Sequence, residues 1–197
     1  MSCKLDERYL ETIELPPGAI VVDCGASVGD TVAVFLAKGA TVHAFEPNPL
    51  AFAHLKQRFE GETALTLYPN AISGADGTAE FYPHEDLAED TLGSANGSSL
   101  LAFKGNVRTD EPYSVETVDL SRILRELGQQ VAFLKIDIEG AEIGAVNRLL
   151  DTGAHRLADQ IVVETHEIKI PELLEPTEKL RARIADEGVE NIRLDWH

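Results

Sequence analysis

Ala19-Ile-Val-Val-Asp-Cys-Gly-Ala-Ser-Val-Gly-Asp30 is an apolar run that stops on an acid and turns at once through two glycines. The run follows the turn signal Pro16-Pro17-Gly18, and its length and Val/Ile content predict a buried strand over Ala19 to Cys24. Gly25 and Gly29 let the backbone bend sharply and approach a ligand without a Cβ in the way. The turn from Asp23 to Gly29 is therefore expected to join a strand to a helix and to hold a nucleoside cofactor. Its Gly-x-x-x-Gly spacing is not the Gly-x-Gly-x-x-Gly that seats a dinucleotide pyrophosphate on a helix N-terminus. Asp23 would repel a pyrophosphate but can accept from an ammonium or water, which favours a cofactor with a cationic amino-acid tail over NAD. Taken alone, the turn is equally compatible with a tight, ligand-free connection.

Outward from this turn the chain alternates. Asp30 to Lys38 reads as a helix ended by Gly39, and Thr41 to Glu46 as a second strand. Asn48 can cap the next helix with Pro49 in its first turn, and Phe52, Leu55 and Phe59 share one helical face. Leu65 to Tyr68 begins a third strand that runs toward Asn70-Ala71. Ile72 to Tyr82, with its Gly/Asp turn, reads as a hairpin-like excursion. The segment 84–109 has no period and is expected to be a lid loop, with Ser98, Ser99 and Lys104 able to touch a polar substrate. Tyr113 to Val118 resumes as a strand, Leu120 to Leu127 as a helix, and Val131 to Asp137 as another buried strand. A helix through Ile143, Val146 and Leu150, a strand over Gln160 to Thr165, a helix capped by Thr177, and a last strand over Asn191 to Asp195 complete the pattern.

This alternation predicts an α/β fold: a doubly wound, mostly parallel sheet with helices on both faces. We expect one domain over residues 18–197, preceded by an N-terminal extension over 1–17, with a shortened edge at the C-terminal side of the sheet. A second copy of the chain could complete that edge.

Composition narrows the class. A length of 197 residues, 44% of them hydrophobic, suits a single globular domain with a real core. No apolar run reaches the ~18 residues of a membrane span, and the N-terminus lacks signal-peptide character, so a soluble cytoplasmic protein without membrane partners is expected. Cys3 and Cys24 form no Cys-x-x-Cys pair, which argues against a thiolate metal site. The net charge of −17 disfavours binding to nucleic acid. The acids are spread along the chain, as in a solvated surface of a protein from a salt-rich cytoplasm.

Sheets of this kind bind ligands at the carboxyl ends of their strands. The residues that matter then end strands: Asp23, Glu46, Asn70, Asp137 and Glu164. A carboxylate at Glu46 can accept both hydroxyls of a ribose.

Val21-Val-Asp-Cys-Gly-Ala-Ser-Val-Gly-Asp30 resembles the first motif of class I S-adenosylmethionine-dependent methyltransferases, and His43-Ala-Phe-Glu-Pro-Asn-Pro49 resembles the second. Leu134-Lys-Ile-Asp-Ile-Glu-Gly-Ala-Glu142 discriminates further. With Val115 to Leu120 upstream and Ile161 to His166 downstream, it resembles the FkbM family. The resemblance implies a Rossmann-like methyltransferase fold, S-adenosylmethionine as cofactor, and O-methylation of a hydroxyl on a small molecule or a glycan- or lipid-type acceptor. It implies that Asp23, Cys24, Gly25, Ala26 and Gly29 hold the methionine part of the cofactor. Glu46 and Pro47 would hold the ribose, Asn70 and Ala71 the adenine, and Asp137 the amino-acid end or the substrate.

Methyl transfer asks mainly for alignment and a dry pocket, with a base near the acceptor hydroxyl adding ~10²–10⁴-fold. Asp137, Glu139 and His166 are the chief candidates for that base, with Glu164 beside them; Glu139 and Glu142 could instead cap the helix that follows. Asp137, Glu164 and His166 are residue types that suit a divalent ion, but they lack a known ligand spacing, and no metal is expected. Rival readings are an NAD-type oxidoreductase and a non-catalytic nucleoside-binding scaffold.

Overall fold

The computed structural model describes residues 7–85 and 97–196. Nine strands are formed in chain order: β1 (Ile20–Cys24), β2 (Thr41–Phe45), β3 (Leu65–Tyr68), β4 (Ala71–Ser73), β5 (Gly77–Phe81), β6 (Tyr113–Asp119), β7 (Val131–Ile136), β8 (Ile161–Glu164) and β9 (Ile192–Trp196). Six helices accompany them: α1 (Glu7–Thr12), α2 (Asp30–Ala37), α3 (Pro49–Arg58), α4 (Leu120–Leu127), α5 (Glu142–Thr152) and α6 (Leu174–Asp186).

The main sheet has the order β3-β2-β1-β7-β8-β9 and every pairing in it is parallel. The chain first winds outward from β1 to β3 and then restarts on the other side of β1 at β7. The switch point therefore lies between β1 and β7, where such sheets open a crevice at their carboxyl ends. Cys24 pairs with Ile136 in register, so the turns after β1 and β7 leave the sheet side by side.

Both faces are covered, which is why the strands are apolar throughout instead of alternating. Val22, Leu134, Ile161 and Val163 pack toward Leu124 of α4, Val146 and Leu149 of α5 and Leu180 of α6. On the opposite face Val21, Val42, Phe133 and Val162 pack with Val32 and Phe35 of α2 and Leu55 of α3. Phe35 and Phe133 meet with ring centroids 5.0 Å apart, a contact whose loss on truncation to alanine costs ~3–5 kcal/mol.

Three expectations are corrected. Residues 72–82 do not form a hairpin: β6 inserts between β4 and β5, parallel to the first and antiparallel to the second, in a separate three-stranded sheet. The segment before residue 18 is not a bare extension. Within its described part, Leu10 of α1 is fully buried in the second core cluster, and Lys38 Nζ donates to the carbonyls of Glu11 and Ile13 at 2.9 Å each. Thr177 does not cap the last helix but lies inside α6, which starts at Leu174. At the far side β9 is the edge strand, parallel to β8 with a register shift. No helix among the described residues is long and apolar enough to cross a membrane.

Candidate cofactor and active site

The first turn is locked against the end of β7. Gly25 has φ +84°, and a Cβ placed on it would lie 1.8 Å from the carbonyl oxygen of Asp137. The Asp137 N–H donates to Cys24 O at 3.0 Å, and the N–H groups of Gly25 and Ala26 both donate to Phe45 O at 3.0 Å. Ser27 adopts φ +50°, which points its N–H at Glu46 Oε2, 2.8 Å away. Asn48 donates its N–H to the other oxygen, Oε1, also at 2.8 Å. Asn48 at the same time caps α3 by accepting from Leu50 and Ala51. Glu46 is thus fixed at both oxygens by backbone donors, and each oxygen keeps a second lone pair. Burial dominates its ionisation and pushes its pKa up to about 7, against the two backbone hydrogen bonds.

Beneath the turn lies a cation that the sequence reading passed over. Lys135, the penultimate residue of β7, donates to Asp23 Oδ1 at 3.3 Å and to Gly25 O at 3.3 Å, and lies 3.2 Å from Asp137 Oδ2. Burial opposes its charge, but Asp137 and Asp23 together hold the ammonium protonated well above the usual lysine range. Asp23 is fully buried and its Oδ2 has no hydrogen-bond partner. Burial raises its pKa and Lys135 counters that. A lysine inside an otherwise apolar strand was the available signal.

The second turn, Asp137 to Glu142, is built around a carboxylate. Glu142 Oε1 accepts from the N–H groups of Ile138 and Gly140 at 2.9 and 3.1 Å, while Glu139 adopts φ +57°. The same oxygen lies 3.0 Å from His166 Nδ1. The other ring nitrogen, Nε2, lies 3.3 Å from Glu139 Oε2, 3.7 Å from Glu164 Oε1 and 3.8 Å from Asp137 Oδ1. Burial works to lower the imidazolium pKa, but Glu142, Glu139 and Asp137 outweigh it and push it up to about 9. For Asp137, burial works upward, and Lys135 and His166 hold its carboxyl below the ordinary value.

These turns border a cavity of about 290 Å³. Gly25, Ala26, Glu46 and Pro47 line one part of it, Asn70 and Ala71 another, and Asp137 and Glu139 a third. The structure brings all eight of these sequence candidates together. Phe81 of β5 and Leu100 add an apolar wall. No local pattern in the sequence pointed to those two: Phe81 is placed by the pairing of β5 with the distant β6, and Leu100 lies in the aperiodic 84–109 segment.

Four candidates are placed differently. Cys24 is buried in the core, with its thiol pKa pushed well above the ordinary value by burial, and contributes only its carbonyl to the turn. Asp23 acts on the cavity through Lys135. Gly29 backs onto Leu55 and Phe59 instead of lining the cavity. His166 has no exposed side-chain surface, and its neighbours keep it protonated through neutral pH. It is a positioning residue behind Asp137 and Glu139 and not a free base. Of the lid segment, residues 86–96 lie outside the described residues. Ser99 donates to Glu139 O at 2.6 Å, and Lys104 donates to Gly97 O at 2.5 Å and Glu139 Oε2 at 2.6 Å. Those two side chains tie the segment to the second turn, while Ser98 lines the cavity.

Residues 23–189 match the Methyltransferase FkbM domain family. The 31-O-demethyl-FK506 methyltransferase FkbM of Streptomyces tacrolimicus is 29% identical over 188 residues, covering 83% of this chain and 72% of that protein. The 2-O-methyltransferase NoeI of Sinorhizobium fredii (strain NBRC 101917 / NGR234) is 28% identical over 149 residues, covering 72% of this chain and 61% of the relative. Among solved structures, a methyltransferase FkbM from Methylobacillus flagellatus KT shares 19% identity at a TM-score of 0.43, covering 67% of this chain and 29% of that one.

Proposed function

The chain belongs to the FkbM methyltransferase domain family, and we propose that it transfers a methyl group from S-adenosylmethionine to a hydroxyl of a small-molecule or glycan- or lipid-type acceptor. The observation that carries this reading is Glu46. Its two oxygens are each held by one backbone N–H at the rim of the cavity, leaving two acceptor positions side by side. That pair of acceptors fits the two hydroxyl donors of a vicinal diol, as on a ribose, and would repel a phosphate.

The remaining residues suit the rest of such a cofactor. Ala71, Ile72 and Phe81 give an apolar pocket for a base. The Gly25 turn and the Lys135–Asp137 pair, on the other side of Glu46, offer a carbonyl, an ammonium and a carboxylate to an amino-acid tail. When bound, the cofactor supplies a methyl group already activated by its sulfonium. The protein then has to orient the acceptor, exclude water and receive one proton.

Asp137 and Glu139 face the cavity and are the groups that take the acceptor's proton. Lys135 holds Asp137 in place, and Lys104 and Ser99 hold Glu139 and its turn. The printed names of both relatives describe O-methyl chemistry, which supports oxygen as the acceptor atom. Incubation with methyl-labelled S-adenosylmethionine and a metabolite extract tests the proposal. We expect label in a product whose methyl sits on oxygen. A protein that binds S-adenosylhomocysteine and never labels an acceptor would support a scaffold role, and one that prefers NAD would support an oxidoreductase.

A further inference from the structure

We propose that Asp137, Glu139 and His166 form a binding site for one divalent cation of the Mn²⁺ type at the acceptor end of the cavity. Their three ligand atoms lie within 4.8 Å of one another, with Nε2 of His166 3.3 Å from Glu139 Oε2 and 3.8 Å from Asp137 Oδ1. Two ligands about 2.1 Å from an ion sit about 3.0 Å apart at a right angle and about 3.4 Å apart in a tetrahedron. Movements of up to about 1 Å at each of the two carboxylates would close the site from that 4.8 Å limit.

The histidine is the independent observation. Its side chain has no exposed surface, Nε2 makes no hydrogen bond, and that nitrogen points among the carboxylates. Its other nitrogen lies 3.0 Å from Glu142 Oε1, an oxygen already fixed by two backbone N–H groups. A carboxylate behind an imidazole is the arrangement that orients metal-ligating histidines. One imidazole and two carboxylates suit Mn²⁺, Fe²⁺ or Zn²⁺ better than Ca²⁺, which takes an all-oxygen shell.

One lysine competes for a ligand oxygen, Lys104 at Glu139 Oε2, 2.6 Å, while Lys135 lies 3.2 Å from the other oxygen of Asp137, Oδ2. Binding the ion requires Lys104 to release its oxygen and the imidazolium of His166 to release its Nε2 proton to solvent, so removing the Lys104 ammonium should strengthen binding. Asp137 and Glu139 line the cavity, so the ion's open positions face it. The role assigned to the ion, polarising the acceptor hydroxyl, rests on the function proposed above; the site itself does not.

The test is a Mn²⁺ titration of chelator-treated, desalted protein, followed by the loss of the free-ion electron paramagnetic resonance signal at high KCl. One saturable Mn²⁺ per chain is expected. Asp137→Asn and Glu139→Gln should each weaken it by about tenfold or more, and Lys104→Met should tighten it. His166→Gln should abolish it, and the two carboxylate variants carry the test if that variant does not fold. Absence of a saturable site up to about 1 mM Mn²⁺ overturns the proposal. So does a site indifferent to both carboxylate variants, which would place the ion elsewhere on the acidic surface. Calorimetry with S-adenosylhomocysteine on the same samples separates the two claims: binding without a Mn²⁺ site removes the ion alone, and a Mn²⁺ site without binding removes the cofactor reading alone.

Discussion

Replacing Gly25 by alanine should damage this fold far more than the same change at Gly188, although both residues have positive φ. At Gly188, φ is +65° and nothing lies within 4 Å of a built Cβ. Only the left-handed backbone is penalised there, by about 1–2 kcal/mol. At Gly25, φ is +84° and the Cβ would sit 1.8 Å from Asp137 O, a backbone atom that cannot swing aside. Relieving that clash to even 3.0 Å requires the two turns to part by more than 1 Å. Such overpacking costs about 1–3 kcal/mol, and losing the bond from Asp137 N–H to Cys24 O costs about 0.5–1.5 kcal/mol more. With the same left-handed penalty as at Gly188, the total is about 2.5–6.5 kcal/mol, a large share of a typical stability of ~5–15 kcal/mol. At about 2–4 °C per kcal/mol for a domain of this size, the extra ~1.5–4.5 kcal/mol at Gly25 should make Gly25→Ala lower the Tm by about 3–18 °C more than Gly188→Ala does. Thermal melts followed by circular dichroism give both values. Melting points within about 2 °C of each other would refute the idea that the two turns are locked by close contact.

Lys135→Met should strand the fully buried Asp23 and expose Asp137 to repulsion, costing about 3–5 kcal/mol in urea unfolding; the double variant with Asp23→Asn should recover much of that loss. Glu46 predicts a pH dependence. Its pKa rises from 4.5 to about 7 on folding, so the native state holds a proton that the unfolded chain gives up. This group's contribution then weakens the free protein as pH rises from 4.5 to about 7, by up to about 3 kcal/mol. Ribose hydroxyls need the ionised form, so affinity for S-adenosylhomocysteine should fall below pH 7 by at most ~10-fold per unit, and a flat profile from pH 5 to about 8 would count against the assignment. The net charge of −17 predicts a Tm that rises with KCl as the Debye length shrinks from about 30 Å at 0.01 M to about 3 Å at 1 M; a Tm indifferent to salt would mean that the surface ion pairs already balance the acids.

The main sheet was legible because a parallel sheet covered on both faces leaves a plain mark: short Val/Ile runs, each closed by a polar residue and a turn. Ile20 to Cys24, Thr41 to Phe45 and Val131 to Ile136 all carry it. The same double coverage hid the direction of side chains at the strand end. Asp23 and Cys24 are both fully buried, so no alternation marked which of them faced the site. The place of β6 was not legible, since its period says that it is a strand and not that it lies between β4 and β5. The burial of His166 was not legible for a related reason. Its position just after a strand does not mark it as buried; the folding of the Asp137–Glu142 turn over it brings three carboxylates within 4 Å, and Glu164 of β8 adds a fourth. Glu46 follows β2 directly, as the strand pattern implies, but its backbone donors, Ser27 and Asn48, come from a left-handed residue and a helix cap that sequence spacing alone does not align.

The central claim is that the cavity between the turns after β1 and β7 is a cofactor site organised by Glu46. Calorimetric titration of S-adenosylhomocysteine into the wild-type protein and Glu46→Gln tests it most directly. The account predicts one site per chain, weakened by about tenfold or more in the variant, whose Tm stays close to that of the parent. No binding to the wild type, or equal affinity in a folded Glu46→Gln protein, would contradict it.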